Sequence, residues 1–396
     1  MPNISERGRQ MPSSPIRKLV PYADAAKRDG VKVYHLNIGQ PDLPTPVKAL
    51  DALKALDRKI LEYSPSDGYL SLRQKLSEYY GRCGIGVSPQ EILVTTGGSE
   101  ALLFTFMACL DAGDELITVE PGYANYLSFA QTAGVVVRTV TSRIEDGFAL
   151  PSVEAFEAAI SPRTRAILLG NPNNPTGSLY SREELLGLRD IILKYDLFLI
   201  SDEAYREFCY TDEPYLSSLQ LEGIDQNVVM VDSFSKRYSE CGIRIGNIVT
   251  RNRGVIDTIM KYAQARLSPP LLGQIVAEAS IDGTEEYQKA CYEEYIARRD
   301  FLIAGLNAIP GVYSPMPYGA FYTVASLPVD DAEDFCQWLL SDFRYQGETV
   351  MMAPAAGFYN TPGLGRNQVR IAYVLKKEDL AKALVILEKA LEVYPR

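Results

Sequence analysis

Arg165-Ala166-Ile167-Leu168-Leu169-Gly170-Asn171-Pro172-Asn173-Asn174-Pro175-Thr176-Gly177 joins a short apolar run to a loop rich in proline and asparagine. An apolar run without polar alternation fits a strand buried on both faces, as in a parallel sheet covered by helices. The loop that follows is held by two prolines, so Asn174 can be aimed rigidly at a ligand.

The same texture continues on either side. Glu91 to Thr95, Glu115 to Val119, Val135 to Val140, Leu197 to Ser201 and Val228 to Asp232 read as further short strands. Leu70 to Tyr80, Ala101 to Leu110 and Arg182 to Lys194 carry helical apolar spacing between them. This alternation predicts an α/β fold, a mostly parallel sheet with helices on both faces, to which Arg244 to Val249 adds an antiparallel strand. After about Asp282 the pattern changes. A long charged helix, Glu285 to Leu306, leads to Pro317-Tyr318-Gly319-Ala320-Phe321-Tyr322. A helix near Ala332 to Ser341, strands near Val350 and over Val369 to Tyr373, and a last helix from Lys377 follow. These predict a smaller α+β unit. The expected division is a large domain over 47–283 and a small one built from 1–46 with 284–396.

Bulk properties narrow the function. At 396 residues with 46% hydrophobic and 23% charged side chains, the composition is that of a soluble globular protein. A net charge of −10 disfavours nucleic acid or an anionic membrane as partner. No apolar run is long enough to span a membrane, and the polar start Met1 to Gln10 lacks a signal-peptide core. The six cysteines are scattered without C-x-x-C spacing, as expected of reduced thiols in the cytoplasm. His35 is the single histidine, which excludes histidine-rich metal sites and points proton transfer toward lysine, tyrosine or carboxylate.

Ligands of open α/β sheets bind beyond the carboxyl ends of the strands. After Thr95 comes Thr96-Gly97-Gly98-Ser99-Glu100, either a phosphate cradle at a helix start or a glycine turn with Ser99 as N-cap. Ser201-Asp202-Glu203-Ala204-Tyr205 places an acid where burial demands a cationic partner, such as a protonated pyridine nitrogen, unless Asp202 simply caps a helix. Tyr205 either faces that ligand or packs in the core. The stretch from Ser233 to Gly246, SFSKRYSECGIRIG, contains Lys236, a side chain able to form an imine with an aldehyde. Its hydroxyls and Arg244 suit a phosphate, and the plain alternative is a surface lysine in a serine-rich turn. Arg370, inside the apolar strand Val369-Arg370-Ile371-Ala372-Tyr373, needs an anion if buried, and a substrate carboxylate would serve.

Asn-Pro-x-Asn-Pro-Thr-Gly, Asp-Glu-x-Tyr, Ser-Phe-Ser-Lys with Gly-x-Arg-x-Gly, and then the apolar-flanked arginine occur in an order that resembles the class I/II aminotransferases. These are pyridoxal-phosphate enzymes of fold type I, and the resemblance runs from about Asn37 to the C-terminus. It implies that Lys236 carries the cofactor as a Schiff base and shuttles the substrate proton. Asp202 would pair with the ring nitrogen, Asn174 and Tyr205 would bond the ring oxygen, and Tyr123 would stack on the ring. Gly98, Ser99, Ser233 and Arg244 would hold the phosphate, with Ser235 a weaker candidate. Arg370 would clamp the α-carboxylate under the Gly39 backbone. Tyr63 matches a tyrosine that reaches the neighbouring subunit's phosphate, which implies a homodimer.

Two departures bear on substrate, for which aspartate is a candidate. Some aspartate-specific members carry lysine where this chain has Ser99, and a frequent tryptophan is Ile243 here. A second substrate carboxylate would therefore need another cation: Arg17, Lys18, Arg237 or an arginine of a partner subunit. The competing functions are a C–S lyase or decarboxylase on the same fold, and a non-catalytic binding module. The last is disfavoured because Lys236 and Asp202 are both kept and the stretch before Asn37 is too short for a DNA-binding segment.

Overall fold

The structure is a computed structural model that describes residues 2–282 and 284–395. In chain order its strands are β1 (Lys32–His35), β2 (Ile92–Thr95), β3 (Glu115–Glu120), β4 (Val136–Thr141), β5 (Thr164–Gly170) and β6 (Phe198–Asp202), then β7 (Val228–Ser233), β8 (Gly246–Val249), β9 (Tyr322–Ser326), β10 (Glu348–Met351), β11 (Ala353–Pro354) and β12 (Gln368–Ala372). β2 to β8 form one sheet in the order β2-β8-β7-β6-β5-β3-β4. Its neighbouring strands are parallel except at β8, which runs antiparallel to both β2 and β7.

The apolar runs follow from burial on both faces. Successive side chains of a strand point to opposite sides. Ile167 and Leu169 of β5 pack with Leu199, Met230 and the helix residues Leu185, Leu188 and Ile192. Ala166 and Leu168 face the other way, toward Ile200, Val231, Leu102 and Ile259. The middle of such a strand, Ala166 to Leu169 in β5, is apolar at every position, so the sequence reads there as continuous rather than alternating.

The smaller unit has a parallel pair, β1 with β10, and an antiparallel sheet in the order β11-β12-β9. Its core draws Leu19, Ala23, Tyr34 and Leu36 together with residues of the helices Thr284–Ala308, Ala332–Ser341 and Lys377–Val393. Tyr205 and Phe208, which follow β6, reach into the same core, so the end of β6 is held against the smaller unit.

Two local expectations need correction. The helix after β2 starts at Gly97 with Thr96 as its N-cap, so Ser99 lies inside the first turn and is not the cap. β8 starts at Gly246 rather than Arg244, because Arg244 turns the chain with a φ of 56°. Gly246 runs so close to the Gly97–Gly98 backbone that a Cβ there would lie 2.6 Å from the Gly97 carbonyl carbon.

Candidate active site

A cavity of about 680 Å³ opens at the carboxyl ends of the large sheet, where the smaller unit closes over it. The turn after β2 contributes Gly98 and Ser99, the β3 loop Tyr123, and the β5 loop Asn174. Asp202 and Tyr205 come from the end of β6, and Ser233, Ser235 and Lys236 from the end of β7. Arg244 follows, while Gly39 and Arg370 enter from the smaller unit. Tyr63 does not line this cavity; it lies on the surface, 77% exposed.

Asp202 has no cationic partner among the described residues. Its Oδ2 accepts from the Tyr126 hydroxyl at 2.8 Å and its Oδ1 from the Ala204 amide at 3.2 Å. Burial raises its carboxyl above the usual aspartate range, against the pull of those two hydrogen bonds. A carboxylate so placed favours a cation in front of it. Tyr126 was not singled out in the sequence, although it ends the Pro121-Gly122-Tyr123-Ala124-Asn125-Tyr126 stretch at helical distance from Tyr123.

The opposite end suits an anion. The helix Gly97–Cys109 points its amino terminus at the cavity, and four N–H groups at such an end lack intrahelical partners. Arg244 lies against it: a Cβ on Gly97, whose φ is +77°, would sit 2.5 Å from the Arg244 Nη2. Glycine at 97 thus makes room for the guanidinium. Arg244 Nη1 donates to the Cys241 carbonyl at 3.0 Å, and Ser233 Oγ accepts from the Ser235 amide at 3.2 Å. The Asn174 loop is fixed by Asn173, which donates to the Pro121 carbonyl at 3.1 Å and to Thr176 at 2.9 Å.

Between the two ends stands Lys236. Its Nζ donates to the Gly39 carbonyl at 2.8 Å and lies 3.8 Å from Cys241 Sγ. No carboxylate pairs with it among the described residues, so the amine is free to face a ligand. Cys241 also escaped the sequence reading as a cavity residue.

Arg370 is 1% exposed, yet it meets no acid among the described residues. Nη1 donates to Asn174 Oδ1 at 3.0 Å, Nη2 donates to the Asn37 carbonyl, and the buried Nε has no partner. Burial lowers its pKa, the expected response of a desolvated cation without an anion. Tyr205 and Tyr322 share a hydrogen bond of 2.8 Å between their hydroxyls, and burial pushes the Tyr205 hydroxyl up. Tyr322 also carries the Arg370 guanidinium over its ring, 4.6 Å from the centroid.

The three cations considered for a second substrate carboxylate separate clearly. Arg17 lines the cavity. Lys18 pairs with Glu333, and Arg237 is buried against Asp232.

An unpaired acid, an anion cradle and a free amine between them match the donor set of a phosphorylated aldehyde whose ring bears a basic nitrogen. Residues 31–387 match the family described as aminotransferase class I and II. An aspartate aminotransferase of Pyrococcus horikoshii is 31% identical over 98% of this chain and 97% of its own length. One from Thermotoga maritima is 32% identical over 97% of this chain and 98% of its own length. The Thermus thermophilus aspartate aminotransferase with maleate superposes with a TM-score of 0.90, at 30% identity, over 98% of this chain and 100% of its own. An alanine aminotransferase from Pyrococcus furiosus also reaches 0.90, at 29% identity over 98% of this chain and 100% of its own.

Proposed function

The chain belongs to the class I and II aminotransferases, and on that premise we propose which residues carry the transfer of an amino group from an L-amino acid to a 2-oxo acid. The enzyme uses pyridoxal phosphate. When bound, this cofactor supplies a carbonyl that condenses with amines and a ring that withdraws electrons from the substrate α-carbon.

Asp202 would hold the ring nitrogen in its cationic form, its carboxylate oriented by the Tyr126 hydroxyl. Asn174 and Tyr205 would hold the ring oxygen, and Tyr123 would stack on the ring. Gly98, Ser99, Ser233 and Arg244 hold the phosphate, with Ser235 a weaker contact. Lys236 Nζ would hold the cofactor carbonyl and, once free, its amine would take the proton from the substrate α-carbon and return it. Arg370 binds the α-carboxylate, with the Gly39 backbone closing over it. The observation that carries this reading is one cavity shared by a lysine amine without a carboxylate, an aspartate without a cation and an arginine without an anion among the described residues.

Amino acids added to the purified, cofactor-loaded protein should bleach its visible absorbance, and 2-oxo acids should restore it. Release of pyruvate and ammonia without any need for a 2-oxo acid would instead mark a lyase.

Charge balance favours a dicarboxylic substrate such as aspartate. Among the described residues, the cavity is lined by Arg17, Lys236, Arg244 and Arg370 against one acid, Asp202. Arg244 answers the phosphate, Arg370 the α-carboxylate and Asp202 the ring, which leaves Arg17 for a distal carboxylate. Arg17→Met should lower kcat/KM for L-aspartate by about 10- to 100-fold, the scale of one charge-assisted hydrogen bond, and spare L-alanine. An equal loss for both would remove Arg17 from that role.

The reading extends to a homodimer. Val47, Ile60, Leu61, Tyr63 and Leu267 are 53–77% exposed, an apolar face suited to a second copy that Tyr63 would then enter. Sedimentation as a monomer at micromolar concentration would refute it. The division into a large domain over 47–283 and a small one from 1–46 with 284–396 is supported by largely distinct cores, although Tyr205, Phe208 and Tyr210 pack into the small one. The free cysteines support a cytoplasmic location, and no helix of the described residues is long and apolar enough to cross a membrane.

A further inference from the structure

Tyr322 begins β9 beside β12, with Ala372 as its backbone partner, and is 2% exposed. It touches three groups that the proposed reaction uses separately. Its hydroxyl lies 2.8 Å from the Tyr205 hydroxyl and donates at 3.5 Å to the Gly39 carbonyl that receives Lys236, and the Arg370 guanidinium sits 4.6 Å from its ring centroid. The fit at Gly39 is tight, since any Cβ there would overlap the Tyr322 hydroxyl.

We propose that Tyr322 is a positioning residue that couples the two ends of the site, its hydroxyl setting the direction of the Tyr205 hydrogen bond and its ring holding Arg370 ready for a carboxylate.

The first half follows from counting protons. Each tyrosine hydroxyl has one proton to donate and lone pairs to accept with. If Tyr205 spends its proton on a cofactor oxygen, the 2.8 Å contact survives only with Tyr322 as donor, its proton turned from the more distant Gly39 carbonyl at 3.5 Å. A donor behind Tyr205 polarises it and strengthens its own donation. The second half follows from Arg370 having a buried Nε without a partner and no acid nearby among the described residues. The π-face of Tyr322, with that of Phe358 at 5.0 Å, joins the hydrogen bonds to Asn174 and the Asn37 carbonyl in holding the guanidinium between ligands.

This inference rests on the cofactor assignment above, and two variants separate its halves. Tyr322→Phe keeps the ring and removes the hydroxyl; Tyr322→Leu removes both. The first readout is the pH at which the absorbance of the bound cofactor titrates. A donor on the ring oxygen draws charge from it, and that charge is what retains the proton on the adjacent imine nitrogen. Loss of the hydroxyl should therefore move the titration upward by about half a pH unit, the scale of one net hydrogen bond. The second readout is calorimetric binding of succinate, an unreactive carboxylate. Tyr322→Phe should bind it as wild type does, while Tyr322→Leu should bind it about 3- to 30-fold more weakly, the scale of a desolvated cation–π contact. A Phe variant that titrates at the wild-type pH overturns the hydroxyl's role. A Leu variant that binds succinate as tightly as the Phe variant overturns the ring's role. A wild-type protein without titrating absorbance would instead break the cofactor assignment, and succinate binding would still decide the ring's part.

Discussion

Asp202 and Asp232 stand near the ends of neighbouring strands of one sheet, and their surroundings are opposite. Asp232 is fully buried and closed off: it accepts from the Tyr80 hydroxyl at 2.8 Å, from the Ser233 amide at 2.7 Å and from the Arg237 guanidinium. Arg237 in turn lies over the Tyr79 ring, 4.4 Å from its centroid. Asp202 has hydrogen bonds but no cation among the described residues, and it faces the cavity. The adjacent residues Lys236 and Arg237 divide in the same way, one free at the cavity and one locked behind the sheet. A charge completed by the protein holds the fold together, and a charge left incomplete waits for a ligand.

The largest effect that would sharpen this contrast is on turnover. Lys236→Ala should lower kcat by roughly 10⁴-fold or more and leave the denaturation midpoint near wild type. Near-normal transamination by that variant would break the mechanism. Asp232→Ala should do the reverse, costing about 3–5 kcal/mol of stability in urea titrations because it strands a buried guanidinium. Its partner test, Asp202→Asn, should leave stability unchanged or higher while turnover falls. A large loss of stability in Asp202→Asn would erase the distinction between the two aspartates. Arg370→Ala should weaken binding of the substrate carboxylate by about 2–5 kcal/mol, seen in KM and in succinate affinity. Unchanged affinity would mean that this arginine is structural after all.

The smallest effect concerns Glu240, a buried acid that fits neither class. Ser280 donates to its Oε1 at 2.5 Å, its Oε2 has no partner, and burial pushes its carboxyl up to about 8. The folded protein therefore keeps a proton that the unfolded chain releases near the ordinary glutamate value of about 4.3. Between those two values stability should fall as pH rises, by up to about 1.4 kcal/mol per unit. Glu240→Gln should flatten that slope and stabilise the protein at pH 8 by roughly 1–3 kcal/mol. A slope unchanged by the substitution would assign it to other groups.

The large sheet was legible because the middles of β5, β6 and β7 are buried on both faces and so read as apolar runs. β1, Lys-Val-Tyr-His, was not, because four residues with a mixed burial pattern carry neither alternation nor continuity. The helix Val20–Arg28 was missed for a similar reason, since only Ala23 and Ala26 of its nine residues are buried. Glycines, prolines, the lysine and the in-strand arginine announced the site, because each is chemically unusual where it stands. Tyr126 and Tyr322 did not, since a tyrosine becomes part of a site only through the group its hydroxyl meets.

What the sequence determined by itself was a set of chemical capacities in a fixed order: an imine-forming lysine, a strand-end acid, a rigid asparagine loop and an arginine inside an apolar strand. Apolar periodicity and residue chemistry are local properties, and they survive in a one-dimensional string. The tertiary structure decided which charges are left open. It closed Arg237 with Asp232 and Lys18 with Glu333, and it left Asp202, Lys236, Arg370 and Arg17 facing one cavity. Pairing depends on distances between residues far apart in the chain, and only the packed fold sets those distances.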